Sequence, residues 1–233
     1  MKPLLLLLPG TLCDARVWDA VVAPLHALAE VRCADTRGAA SVAELADTAW
    51  HLLADVAPTR PLLLAGFSLG GFVAIEMLAR PRRTVRGAAL ISTTACPDSA
   101  EAALRRERGI AALATDFERS VERLLDYVLH APDPSLRARV HAMMREVGAA
   151  AAIRQNRAAA GRPDRRAALR GLALPVTVLC GAHDRITPPA GSEELAALIP
   201  HARLTLVPEA GHMLPCEQPD AVGAALRDLL AHP

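Results

Sequence analysis

A chain of 233 residues, 52% hydrophobic and 22% charged, carries enough apolar material for one α/β domain and lacks the composition of a disordered chain. A formal net charge of +1 and an aromatic content of 3% argue against nucleic acid and against an anionic membrane surface as partners.

The first apolar run, Leu4 to Leu8, is too short for the core of a secretory signal, and no small-residue cleavage site follows it. It reads as a buried strand ending in the Pro9-Gly10 turn. No other run is long enough to span a bilayer. Cys13, Cys33, Cys96, Cys180 and Cys216 show no metal-ligand spacing, and an odd number leaves one unpaired within a monomer. Free thiols in a reducing cytoplasm account for them most simply.

Asp14 to Glu30 is expected as a helix and Val31 to Ala34 as a short strand. Ser41 to Val56 is a helix whose Ser41 and Glu44 form a capping box. A strand over Pro61 to Gly66 leads into a helix over Ser68 to Arg80, and Val85 to Ile91 is the next strand. The alternation then stops. From about Ala95 to Leu172 the chain is rich in Ala, Arg and Glu at helical spacing, with breaks at Pro132, Pro134 and Pro163.

Alternation resumes with a strand over Val176 to Cys180 and a helix over Pro189 to Ile199. A strand over Arg203 to Val207 and a helix over Gln218 to Ala231 complete it. This order describes a mostly parallel sheet of about six strands flanked by helices. The expected division is a core over 1–94 and 173–233 and a helical lid over 95–172. An insertion at the carboxyl ends of parallel strands overhangs the crevice where such sheets bind ligands.

Gly66-Phe67-Ser68-Leu69-Gly70 carries the pattern Gly-x-Ser-x-Gly between an apolar strand and a helix. Such a turn holds a serine in strained geometry with its hydroxyl exposed, and small flanking residues avoid collision with neighbouring backbone. The plainer reading makes Ser68 only a helix cap. A serine nucleophile needs a base within hydrogen-bond reach. Of eight histidines, His26, His51, His130, His141 and His232 fall in or at the ends of helices. His201 precedes the last strand, at the wrong edge of the sheet, and His183 lies in a strand-end loop. His212 follows the last strand in Val207-Pro-Glu-Ala-Gly-His-Met, on the same edge as Ser68.

Asp184, just past the strand over Val176 to Cys180, can orient that imidazole by accepting its Nδ1 proton. Asp98, after the strand over Val85 to Ile91, is the rival acid. Oxyanion donors are expected from the backbone N–H of Leu69 and of Thr11, with Leu12 as the alternative to Thr11. Leu12, Met143, Met144 and Met213 are expected to line an apolar substrate pocket.

These segments resemble the α/β-hydrolase fold family, in particular the compact bacterial serine esterases that act on carrier-protein methyl esters. The Pro9 to Trp18 segment is similar to the family's oxyanion segment, and Asp35-Thr-Arg-Gly to its Asp-x-Arg-Gly turn. Gly181 to Pro188 and Ala210 to Pro219 resemble its acid and base segments. The resemblance implies the order Ser68, Asp184, His212 for the catalytic residues, with Thr11 and Leu69 as the oxyanion hole.

Pro9 stands where the family usually has His. The family's first two strands have no counterpart, which leaves about six. Arg154 to Asp164 also looks familiar from these hydrolases; its basic groups read as solvated helix faces rather than an anion site.

The expected chemistry is hydrolysis of a carboxylic ester or thioester through an acyl-enzyme, with no metal or organic cofactor and a small-molecule substrate. The same residues could support carbon–carbon bond hydrolysis, a lyase step or perhydrolysis, and a non-catalytic receptor on this fold is a further alternative. Haloalkane dehalogenase and epoxide hydrolase chemistry is disfavoured, because those enzymes have Asp where this chain has Ser68.

Overall fold

The computed structural model describes residues 2–231. Six strands form one sheet in the order β2-β1-β3-β4-β5-β6, every neighbouring pair parallel. They are β1 (Leu4–Leu8), β2 (Glu30–Cys33), β3 (Leu62–Phe67), β4 (Val85–Ile91), β5 (Val176–Gly181) and β6 (Arg203–Val207). Because side chains alternate along a strand, Leu4, Leu6 and Leu8 enter the core on one face and Leu5 and Leu7 the core on the other. Each of these leucines is at most 1% exposed, and each buried leucine contributes about 1.5–3 kcal/mol. A continuous leucine run therefore suits a strand covered on both faces.

The long helices are α1 (Val42–His51), α2 (Leu69–Ala79), α3 (Ala100–Thr115), α4 (Phe117–Val128), α5 (Pro134–Ala160), α6 (Pro189–Leu198) and α7 (Pro219–Ala231). Ser41 caps α1 by accepting the Glu44 N–H, while its hydroxyl donates to the Glu44 carboxylate at 2.9 Å. The helix expected over Asp14 to Glu30 is instead three short helical pieces, Ala15–Trp18, Asp19–Val22 and Ala23–Ala27. Pro24 has no N–H to donate to the residue four back and so interrupts an α-helical ladder there. Among the described residues no helix is long and apolar enough to cross a membrane. All five cysteines are free.

Helices α3, α4 and α5 lie between β4 and β5. The proline breaks fall where expected, with Pro134 in the first turn of α5, but α5 also breaks at Gly148, whose φ of +80° suits glycine. The segment after α5 returns to the core through buried ion pairs. Arg165 donates to both Glu76 carboxylate oxygens, at 2.7 and 2.8 Å. Arg162 pairs with Asp98 at 2.7 Å and sits over the Phe72 ring at 4.3 Å. Arg106 of α3 also pairs with Asp98, at 2.6 Å.

Arg162 thus corrects the expectation of a solvated basic face, since its side chain is 7% exposed. Burial pushes the Asp98 carboxyl up, but Arg106 and Arg162 outweigh this and hold it below its usual value.

Asp98→Ala leaves Arg162 buried without its carboxylate, and the expected loss of stability is roughly 3–5 kcal/mol by urea unfolding. The same carboxylate contributes an acid limb. Its folded pKa lies below the unfolded value of about 3.9, so its contribution is full above that value and disappears as pH falls through the folded one. Urea unfolding of the variant at pH 7 and pH 3 is expected to show a smaller difference than that of the parent.

Candidate active site

β3 ends at Phe67 and α2 begins at Leu69, so Ser68 alone makes the turn, at φ 53° and ψ −115°. A non-glycine residue holds such a conformation at a cost of about 1–3 kcal/mol, and only where its surroundings enforce it. Here the Ser68 N–H donates to the Ile91 carbonyl at 2.9 Å. The Ser68 carbonyl accepts the Thr93 hydroxyl at 3.0 Å and the Gly71 N–H at 2.9 Å. The close passage of chain around it requires glycine. A Cβ on Gly66 would lie 2.3 Å from the Gly70 carbonyl oxygen, and one on Gly70 would lie 1.9 Å from that of Leu8.

His212 is held from two directions. Its N–H and that of Met213 both donate to the Val128 carbonyl at the end of α4, at 2.8 and 3.3 Å. The neighbouring Gly211 N–H donates to Glu217 at 3.0 Å, and the same carboxylate oxygen accepts the His130 N–H at 2.7 Å. Burial pushes the Glu217 carboxyl above its usual value, against the opposing effect of these backbone donors. Glu217 belongs to the segment that resembles the family's base loop, and this bracing is what it does here.

The three nominated side chains meet. His212 Nε2 lies 3.0 Å from Ser68 Oγ, and His212 Nδ1 lies 2.9 and 3.0 Å from the two Asp184 oxygens. Asp184 also accepts the Ile186 N–H at 2.8 Å, the Thr187 N–H at 2.9 Å and the Thr187 hydroxyl at 2.8 Å. Burial pushes its carboxyl up; the adjacent His212 and the Thr187 donors more than offset this and hold it below the usual aspartate value. An imidazole so placed, with a carboxylate on Nδ1, can accept a hydroxyl proton on Nε2 and be stabilised as it becomes charged. Ser68, Asp184 and His212 are all buried.

The other candidates are elsewhere. Asp98 is occupied by Arg106 and Arg162. The exposed His183 ring stacks on that of His130, and His141 pairs with Glu122 at 3.1 Å. His26, His51 and His201 are exposed, and His232 lies outside the described residues.

Leu12 adopts φ +57°, and its N–H donates to the side-chain oxygen of Gln155 at 2.8 Å. That donor is therefore engaged, whereas among the described residues no acceptor faces the Thr11 N–H or the Leu69 N–H. Gln155 escaped the sequence reading. It comes from α5, is fully buried, and its amide nitrogen reaches the Gly10 carbonyl and the Thr36 hydroxyl at 3.5 and 3.3 Å. One signal was available: Ala151, Ala152, Gln155, Ala158 and Ala159 share one buried helix face, which makes the glutamine a polar group in an apolar row.

A cavity of about 670 Å³ opens over Ser68 and His212. Thr11, Leu12 and Met213 line it from the core, and Leu113, Leu124 and Met144 from the insertion. Met143 does not. Both methionines belong to the core, but successive helical residues point about 100° apart, and only Met144 reaches the cavity wall.

Residues 5–225 match the sequence pattern of the Alpha/beta hydrolase family. A pimeloyl-[acyl-carrier protein] methyl ester esterase of Neisseria meningitidis is 30% identical over 178 residues, which is 73% of this chain and 57% of that protein. The match therefore spans little more than half the length of that relative. A protein of the same name from Xanthomonas oryzae pv. oryzae is 31% identical over 193 residues, 78% of this chain and 76% of the other.

Among solved structures, a thermophilic esterase from Thermogutta terrifontis, studied with malate bound, superposes with a TM-score of 0.89 at 28% identity. The alignment covers 100% of this chain and 91% of that one. Sheet order, family pattern and relatives agree, and the chain belongs to the alpha/beta hydrolase family as an enzyme of the hydrolase class.

Proposed function

We propose that this hydrolase cleaves a carboxylic ester or thioester of short or medium acyl chain through an acyl-enzyme on Ser68. The observation that carries the reading is the continuous chain from Ser68 Oγ through His212 to Asp184 at the floor of the cavity. His212 takes the Ser68 proton as the oxygen attacks the carbonyl, then protonates the leaving alcohol or thiol. It next activates the water that releases the acid. The Thr11 and Leu69 N–H groups receive the oxyanion, Leu69 from the positive end of α2. The names of the relatives point the same way, since those proteins are called esterases.

Helices α3 to α5 act as a lid in this reading. The apolar side chains they place over Ser68 favour an aliphatic acyl chain. The test is a panel of p-nitrophenyl esters and acyl thioesters run beside Ser68→Ala. Turnover of one class that disappears in the variant supports the proposal, and turnover that survives the substitution overturns it.

Gln155 sets the Leu12 N–H aside and thereby aims the turn that presents Thr11. Gln155→Leu is expected to lower kcat by roughly tenfold to a hundredfold, less than the loss of a whole oxyanion donor, with KM nearly unchanged. The Leu12 N–H then lacks its partner, so stability falls by about 1–3 kcal/mol. Steady-state kinetics that separate kcat from KM check this.

A further inference from the structure

Beside the site, three segments that share no sequence motif bring two imidazoles and a carboxylate together. His130 follows α4, His183 follows β5 and Glu209 follows β6. One ligand atom from each lies within 4.8 Å of the others. The His130 and His183 rings stack with centroids 3.8 Å apart and planes within 5°. His130 Nε2 lies 3.6 Å from a Glu209 oxygen. His183 and Glu209 are exposed and His130 is half-buried, so an ion and its waters can enter.

The backbone beneath is fixed. The His183 N–H donates to the Ala210 carbonyl at 2.9 Å and the His130 N–H to Glu217 at 2.7 Å. Glu209 sits at φ +50° in the turn after β6, a left-handed conformation that a non-glycine residue keeps only where its surroundings enforce it.

From these positions we infer that His130, His183 and Glu209 form a binding site for a divalent cation of the zinc class. Two nitrogens and one carboxylate oxygen suit zinc, cobalt or nickel rather than calcium or magnesium, which take oxygen ligands. Ligands at tetrahedral spacing around zinc are about 3.4 Å apart, given metal–ligand distances of about 2.0–2.1 Å. Reaching it requires side-chain rotations that open the ring stack, because imidazole donates in its own plane.

Nearby cations are partly neutralised. Arg137 pairs with Glu122 and Asp126, and Arg185 donates to the Asp126 carbonyl and lies over the Tyr127 ring. The fourth position is left to water. The ion has no part in the hydrolytic step. It ties the end of α4, within the helical insertion, to the turn that carries Asp184 and to the loop that carries His212, which the backbone bonds to Val128 already join. The inference stands whether or not Ser68 is the nucleophile.

The test uses tag-free, chelator-treated full-length protein titrated with zinc chloride and, separately, with cobalt chloride. One zinc per chain and visible tetrahedral cobalt bands are expected. At a hundredfold excess over Kd, zinc raises the unfolding temperature by roughly 5–10 °C. His183→Ala, Glu209→Gln and His130→Gln are each expected to weaken zinc at least tenfold and abolish the cobalt bands. Without metal, all three are expected to unfold within about 2 °C of the parent, as surface substitutions do. No stoichiometric binding by the parent, or binding that survives all three substitutions, overturns the site.

Discussion

Ser68→Ala is expected to lower ester turnover by about 10⁵- to 10⁶-fold while the protein unfolds at the temperature of the parent. The substitution removes the oxygen proposed to attack and its 3.0 Å contact with His212, and little else. The alanine retains the Cβ, so the backbone at φ 53° meets the same surroundings, and the bonds with Ile91, Thr93 and Gly71 all use the main-chain atoms of residue 68. Circular dichroism and thermal unfolding check the second half of the expectation. Without them, loss of activity would not distinguish a missing nucleophile from a collapsed turn.

Asp184→Asn is expected to cost about 10⁴ in kcat, with KM little changed. Asparagine fits the same space but presents an amide where the carboxylate accepted. Its N–H₂ donates to His212 Nδ1, which moves the ring proton to Nε2, the nitrogen that must accept from Ser68. The Thr187 hydroxyl lies 3.4 Å from Nδ1 and 2.8 Å from the carboxylate, so it stays beside the ring but brings no negative charge to stabilise the imidazolium. Retained geometry with lost turnover is the signature, read by kcat and KM together. If turnover falls only a few-fold, another group orients His212, and the role assigned to Asp184 is wrong.

The parts of the fold that were legible are those where local physics and tertiary context agree. Five consecutive leucines suit a parallel strand buried on both faces, and β1 is one. The Ser41–Glu44 cap depends only on residues three apart. The turn at Ser68 was readable because its glycines answer to backbone contacts from Gly70 and Leu8, which leave no room for another residue.

The misreadings come from elsewhere. Asp14 to Glu30 has helical spacing, but Pro24 interrupts the ladder. The basic stretch around Arg162 looked solvated, because its acid partner Asp98 is distant in sequence and comes near only once α5 folds back. Met143 and Met144 are equivalent in composition, and only the rotation of α5 separates them. Gln155 was invisible as a partner of Leu12, since that hydrogen bond joins residues 143 apart in the chain. His130, His183 and Glu209 are of the same kind, gathered by the sheet edge rather than by spacing.

The proposed hydrolysis passes through a covalent acyl group on Ser68. Mass spectrometry of the protein quenched during turnover of a p-nitrophenyl ester, followed by peptide mapping, tests it directly. An adduct of the acyl mass is expected on the peptide that carries Ser68, and none in Ser68→Ala. Turnover without any such adduct under rapid quench, together with ester hydrolysis by Ser68→Ala at the parent's rate, would contradict it.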